Sequence, residues 1–205
     1  MISKPEEFLK RSCDIVGSGL GIVVLSPVIL VTMLAVKLSS PGPVFYKQKR
    51  LGKDGVPYEI FKLRTMMDKA PDLKNADGSM LTTASDPRVT KVGKFLRRTS
   101  LDEIPQLFNA LIGNMSLVGP RPDRADQLSL YDPGEERKLL MKPGITGLAM
   151  VRGRNSIPWK RRVAIDIEYI ENYSLWLDAK IFFTTVPIVL LGRGVNAPPE
   201  ETKSP

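Results

Sequence analysis

The chain contains no histidine and a single cysteine, Cys13. Without histidine there is no Ser-His or Cys-His nucleophile system and no His-containing zinc site. One cysteine excludes an intrachain disulfide framework and fits a reducing compartment. Catalysis must therefore run on carboxylates, lysine, tyrosine or serine, with a hard cation as the natural helper. Acidic charge is also in short supply: 22 Asp and Glu face 30 Lys and Arg, leaving a net charge of +8. Such a chain calls for an anionic partner, whether nucleic acid, a phosphorylated substrate or an anionic lipid surface. Its 205 residues suit one domain with a buried core.

One long stretch, Ile15 to Val36, carries no charge at all. It is long enough to span a membrane as a helix. It is too long for a signal peptide, and no small-residue cleavage site follows it. Ser26-Pro27 falls in its middle. Pro27 cannot donate to the carbonyl of Val23 and its ring clashes there, which predicts a bend. The Ser26 hydroxyl is placed to donate to a carbonyl of the preceding turn. Basic residues flank both ends, Lys10 and Arg11 before, Lys37, Lys47, Lys49 and Arg50 after. A spanning helix normally carries its basic excess on one side. Cations at both ends suit a re-entrant helix-break-helix, whose arms of about 11 residues reach about 17 Å, roughly half the hydrocarbon core. A kinked spanning helix is equally compatible with the physics, because membrane helices tolerate such prolines.

The densest chemistry lies in Leu96-Arg97-Arg98-Thr99-Ser100-Leu101-Asp102-Glu103-Ile104-Pro105-Gln106-Leu107. Ser100 followed by Glu103 reads as a capping box, whereas Pro105 starts the helix later. Either way Asp102 and Glu103 lie near the positive end of a helix dipole, and capping alone accounts for them. Downstream, Gly113 to Pro122 frames one arginine, Arg121, between glycine and prolines. Clamped arginines bind phosphate, and carboxylates beside a phosphate site imply a metal ion, a nucleophile or both.

Elsewhere, Val44 to Leu51 and Tyr58 to Met66 read as a hairpin turning at Asp54-Gly55. Alternation puts Lys62 and Arg64 on one face, which is either a phosphate site or a solvated strand face. Residues 67–87 read as a long polar loop. Lys91 to Arg98 and Pro158 to Tyr173 read as helices, and Pro133 to Met141 as a short one. Pro143 to Gly147 reads as a turn and Leu148 to Val151 as a short strand. Asp166 falls on the apolar stripe of Trp159, Val163 and Ile170, so it needs a cationic partner or a metal. Ile181 to Leu191, with Trp176 and Lys180 nearby, suits a membrane interface. The tail 196–205 reads as disordered.

Together these motifs resemble the bacterial sugar transferases that are monotopic polyprenyl-phosphate phosphoglycosyl transferases. The resemblance rests on Ser26-Pro27, Ser40-Pro41-Gly42-Pro43-Val44-Phe45, Phe61 to Met66, Asp86-Pro87-Arg88-Val89-Thr90, Ser100 to Leu107 and Met115 to Pro122. It continues through Pro143 to Gly147, Gly153-Arg154-Asn155, and Asp166 with Tyr169. It implies a mixed α/β, helix-rich monotopic fold: re-entrant helix and flank 1–38, cytosolic catalytic domain 39–195, tail 196–205. It also implies magnesium-dependent transfer of sugar-1-phosphate from a UDP-sugar to polyprenyl phosphate at the cytosolic face of the bacterial inner membrane. Asp102 matches the nucleophile and Glu103 its dyad partner, both placed to meet Mg2+. Lys62, Arg97, Arg121 and Arg154 are the candidates for holding phosphates, with Asp166 orienting one of them. Membrane phospholipids, and a second copy of the chain as a homodimer, complete the expected partners. Ala149-Met150-Val151-Arg152 departs from the family pattern, in which a glutamine stands where this chain has Met150, so the sugar is not read by analogy. Two rivals remain. A membrane-bound nucleic-acid module fits the charge, but no nucleic-acid motif is present. A non-catalytic membrane scaffold of glycan assembly fits the capping reading of the dyad.

Overall fold

The computed structural model describes residues 3–73 and 86–191. Most of the expected polar loop, including Asp77-Gly78, and the expected tail 196–205 lie outside the described residues.

Helix α1 (Lys4–Ser39) starts at Ser3, whose hydroxyl accepts from Glu6 N while the Glu6 carboxylate accepts from Ser3 N. This is a capping box, and Pro5 in the first turn suits it. The helix continues through Pro27, where the sequence predicts a break. Ser26 Oγ donates 2.8 Å to the carbonyl of Val23, the one that Pro27 has no N–H to serve. Among the described residues α1 is the one helix long and apolar enough to cross a membrane. Its apolar middle is largely bare, with Val23 and Val24 each 71% exposed.

The flanks of α1 are both docked on the rest of the chain. On the N-terminal flank, Lys10 Nζ donates to the carbonyl of Val118 at 2.8 Å and pairs with Asp178 at 2.5 Å. Arg11 donates to the carbonyls of Ala110 and Leu111. Asp14 accepts from Ser116 Oγ and Leu117 N. On the C-terminal flank, Val36 and Met33 pack with Leu63, Leu96 and Val44.

Strands β1 (Phe45–Leu51) and β2 (Pro57–Leu63) form the expected antiparallel hairpin, with Tyr46 opposite Lys62 and Arg50 opposite Tyr58. β2 stops at Leu63, short of the expected Met66, because Arg64 turns to donate to the carbonyls of Ser40 and Pro41. Arg64 is therefore structural. Helices α2 (Lys91–Thr99) and α3 (Gln106–Ile112) follow. β3 (Ser116–Val118) pairs in parallel with β4 (Gly144–Thr146), so the expected turn at Pro143 to Gly147 contains a strand. The two backbones sit so close that a Cβ on Gly144 would strike Gly119 N. The expected strand at Leu148 to Val151 is helix α4 (Leu148–Arg152); four apolar residues in a row carry no period that separates the two. The short helix expected at Pro133 to Met141 is a 3-10 segment, Glu135–Leu140. Helices α5 (Trp159–Glu171) and α6 (Leu175–Leu190) complete a mixed, helix-rich fold with two small sheets.

Candidate active site

Ser100 does not cap the dyad. It is the C-cap of α2 in the left-handed region (φ 57°), its N–H donating to Arg97 O and Leu96 O. Its hydroxyl makes no cap bond and accepts instead from Arg154 Nη2 at 3.0 Å. The capping reading of Glu103 therefore fails, and the next three residues, Leu101–Glu103, form a 3-10 turn. Both carboxylates of that turn are buried, Asp102 at 2% and Glu103 at 9% exposure. One ammonium serves both: Lys62 Nζ lies 3.0 Å from Asp102 Oδ2 and 3.2 Å from Glu103 Oε1. Lys62 reaches them from the outer end of β2, so the hairpin face read as solvated or phosphate-binding points at the dyad.

Glu103 carries a second cation, Arg121, whose Nη2 donates 3.0 Å to Oε1. Burial alone would raise the Glu103 pKa, but Arg121 and then Lys62 hold it well below the usual carboxylate range. Glu103 thus stays ionised at working pH. The Arg121 side chain keeps 35% of its surface exposed, against 11% for Glu103, so the arginine closes the pair on its open side. Gly119 and Pro120 carry the chain off β3 into this position. Arg121 N donates to Asp166 Oδ2 at 3.1 Å, and Lys138 Nζ pairs with the same oxygen at 3.1 Å. Asp166 is fully buried, and burial raises its pKa against the pull of Lys138. It orients the arginine through the backbone, with Lys138 as the cationic partner its apolar surroundings demand.

Lys138 also pairs with Asp123 at 2.5 Å, and Asp123 accepts from Tyr131 OH and Trp159 Nε1. This buried network under the Pro120-Arg121-Pro122 loop was not legible in the sequence, because its charges come from separate turns with no shared pattern. Arg154 stands on the far side, also left-handed at φ 53°. Its Nη1 is buried without a partner, and burial followed by repulsion from Arg121 lowers its pKa. Arg97 is held by Thr65 Oγ1 at 2.9 Å and feels Asp102 only through space. Of the four expected phosphate cations, Lys62 and Arg121 touch the dyad, Arg154 adjoins it and Arg97 backs it. Met150 is buried, with Thr146 Oγ1 donating to its sulfur, so that departure from the family pattern lies in the core.

No group of three or more His, Cys, Asp or Glu gathers among the described residues. The dyad alone offers only carboxylate oxygens and already draws cationic charge from Lys62. That donor set fits a magnesium ion, which takes one or two carboxylates and fills its shell with water and substrate phosphate.

The chain matches the bacterial sugar transferase family over residues 5–192. It is 42% identical over 196 residues to the exopolysaccharide production protein ExoY of Rhizobium meliloti (strain 1021), covering 90% of this chain and 87% of that protein. It is 41% identical over 188 residues to the uncharacterized sugar transferase EpsL of Bacillus subtilis (strain 168), covering 92% and 90%. It is 45% identical over 193 residues to the UDP-glucose:undecaprenyl-phosphate glucose-1-phosphate transferase of Escherichia coli (strain K12), covering 90% of this chain but 41% of that protein.

Proposed function

The chain belongs to the bacterial sugar transferase family, and from that premise we propose that it transfers sugar-1-phosphate from a UDP-sugar to polyprenyl phosphate. The observation that carries this reading is the buried dyad with its converging cations. Asp102 and Glu103 share Lys62, and Arg121 closes Glu103. An Asp102 oxygen attacks the phosphorus bearing the sugar, and the bond to the second phosphate breaks, releasing UMP with the electron pair. The resulting acyl phosphate holds the phosphosugar on Asp102. A polyprenyl phosphate oxygen then attacks the same phosphorus, giving polyprenyl-diphosphate-sugar and restoring the carboxylate. Two anions must meet in each step, so their repulsion has to be neutralised. Lys62, Arg121 and Arg154 supply fixed positive charge for that purpose, with Arg97 behind them. Magnesium held by Asp102 and Glu103 would supply further charge neutralisation of the phosphates. The test is a panel of UDP-sugars with polyprenyl phosphate and magnesium, scored for released UMP; no release with any donor overturns the reading.

The same reaction calls for a site where a soluble nucleotide sugar and a lipid phosphate meet at one membrane face. We assign residues 1–38 to a membrane-dipping segment that returns to the cytosolic face of the bacterial cytoplasmic membrane, and 39–195 to the catalytic domain. The docking of both flanks of α1 on one domain supports this topology. Lys10 binds Val118 and Asp178 while Val36 packs on Leu63 and Leu96. A helix crossing the bilayer would put those flanks on opposite sides. With Cys13→Ser as background, single cysteines at the exposed positions Lys4 and Lys49 report the sidedness. An impermeant thiol reagent is expected to label neither Lys4→Cys nor Lys49→Cys in intact cells and both after permeabilisation. Labelling of the Lys4→Cys probe alone in intact cells would make α1 a spanning helix.

A further inference from the structure

The dyad and its cations use one end of the inner hairpin face. Its other end carries buried polar atoms that bind nothing among the described residues. Cross-strand register puts Gln48 opposite Ile60 and Arg50 opposite Tyr58, and residues 58, 60 and 62 of β2 share one side. Lys62 ends at the dyad and Ile60 packs with Ala110 and Met115. At the rung before the last, Tyr58 OH and Arg50 Nε are buried without a partner among the described residues, as is Gln48 Oε1. The rung is stitched to the arginine loop: Arg50 Nη1 donates 3.2 Å to the carbonyl of Pro122, and Leu51 N donates 2.9 Å to that of Asp123.

Among the described residues Arg50 pairs with no carboxylate. The acid it feels most is Asp123, whose oxygens are already taken by Lys138, Tyr131 and Trp159. Burial, and then repulsion from Arg121, holds the Arg50 guanidinium below its ordinary pKa. Pro122, whose carbonyl Arg50 holds, directly follows Arg121, so the loop that carries Arg121 is fastened to this rung. Two neighbouring cations and unmet buried donors are costly in the empty protein. An anion with several acceptor oxygens satisfies all of them at once.

We propose that Arg50 and Tyr58, together with Arg121, form a second phosphate clamp that holds the phosphate departing with the nucleoside. The inference rests on the sugar-phosphate transfer reading above and adds a residue pair to it. The attacked phosphorus must sit at Asp102, and Arg121 already reaches the dyad with one nitrogen. Arg50 holds the carbonyl of Pro122, the residue after Arg121, so the other phosphate of the same diphosphate is placed toward Arg50 and Tyr58.

The experiment uses the full chain in lipid nanodiscs with a UDP-sugar that the wild-type protein turns over. The KM values for donor and for polyprenyl phosphate are measured, along with inhibition by UMP. Arg50→Gln is expected to raise the donor KM and the UMP inhibition constant in parallel, by about tenfold or more, the size of a lost charge-assisted contact. The KM for polyprenyl phosphate stays unchanged. Tyr58→Phe is the control for folding, since it removes an oxygen that bonds to nothing among the described residues. It is expected to shift the same two constants several-fold. A rise in the polyprenyl phosphate KM instead would assign the clamp to the lipid phosphate and overturn the proposal. No shift in either variant would leave Arg50 as a prop for the Pro122 carbonyl alone. Both outcomes require wild-type turnover, so neither is confused with failure of the transferase reading.

Discussion

Asp102→Asn is expected to abolish turnover, and with it the phosphosugar adduct that wild-type protein gains when mixed with nucleotide sugar alone. Of the two dyad carboxylates, Glu103 is gripped by both Arg121 and Lys62, whereas Asp102 pairs with Lys62 alone among the described residues. In the proposed mechanism Asp102, the less tightly held carboxylate, is the one that attacks. Asparagine keeps the shape and leaves Lys62 with Glu103, so the fold survives while the attacking charge is gone. Loss of a covalent nucleophile costs on the order of 10⁴-fold or more in rate. Intact-protein mass spectrometry, followed by peptide mapping, reads the adduct directly. Normal turnover by the asparagine variant, or an adduct mapped to another residue, would falsify the covalent mechanism.

Arg121→Lys is expected to lose activity by about tenfold to a hundredfold while the protein stays folded and membrane-bound. The loop itself is secured by the backbone bond from Arg121 N to Asp166 and by Lys138 beneath it, and neither involves the guanidinium. What lysine loses is the fork. Arg121 holds Glu103 with one nitrogen, in the proposed mechanism its others meet phosphate, and a single ammonium cannot face both ways. Unchanged steady-state kinetics in the lysine variant, with an unchanged melting temperature, would reduce Arg121 to a structural role.

The hairpin and the dyad were legible because each is written locally, in a two-residue alternation and in a run of adjacent residues. Lys62 could be placed on a face by alternation, though which way that face pointed depended on packing against α3. The Ser100 to Glu103 spacing misled, since the same residues serve a chain reversal after α2, and the Ser100 hydroxyl makes no cap bond there. β3 and β4 are three residues each, too short for a pattern, and their pairing depends on a glycine contact invisible in one dimension. Lys138 and Asp123 meet Asp166 only after three segments fold together, so no spacing announces them. Arg50 reads in the sequence as one more flanking cation, and only cross-strand register turns it toward the site.

The N-terminal flank of α1 grips β3 at both ends: Asp14 holds Ser116 and Leu117, and Lys10 holds the carbonyl of Val118. Two residues further on, the chain enters the loop that presents Arg121. In the proposed topology the segment that dips into the bilayer is thus also the bracket on which the phosphate loop is mounted. A flexible leash would let the catalytic centre wander in height above the lipid. This bracket levels it, so that a headgroup phosphate drifting in the plane of the membrane meets Asp102 at one fixed altitude and has only two dimensions left to search. Cutting the helix away to make a soluble enzyme would remove the spirit level along with the anchor.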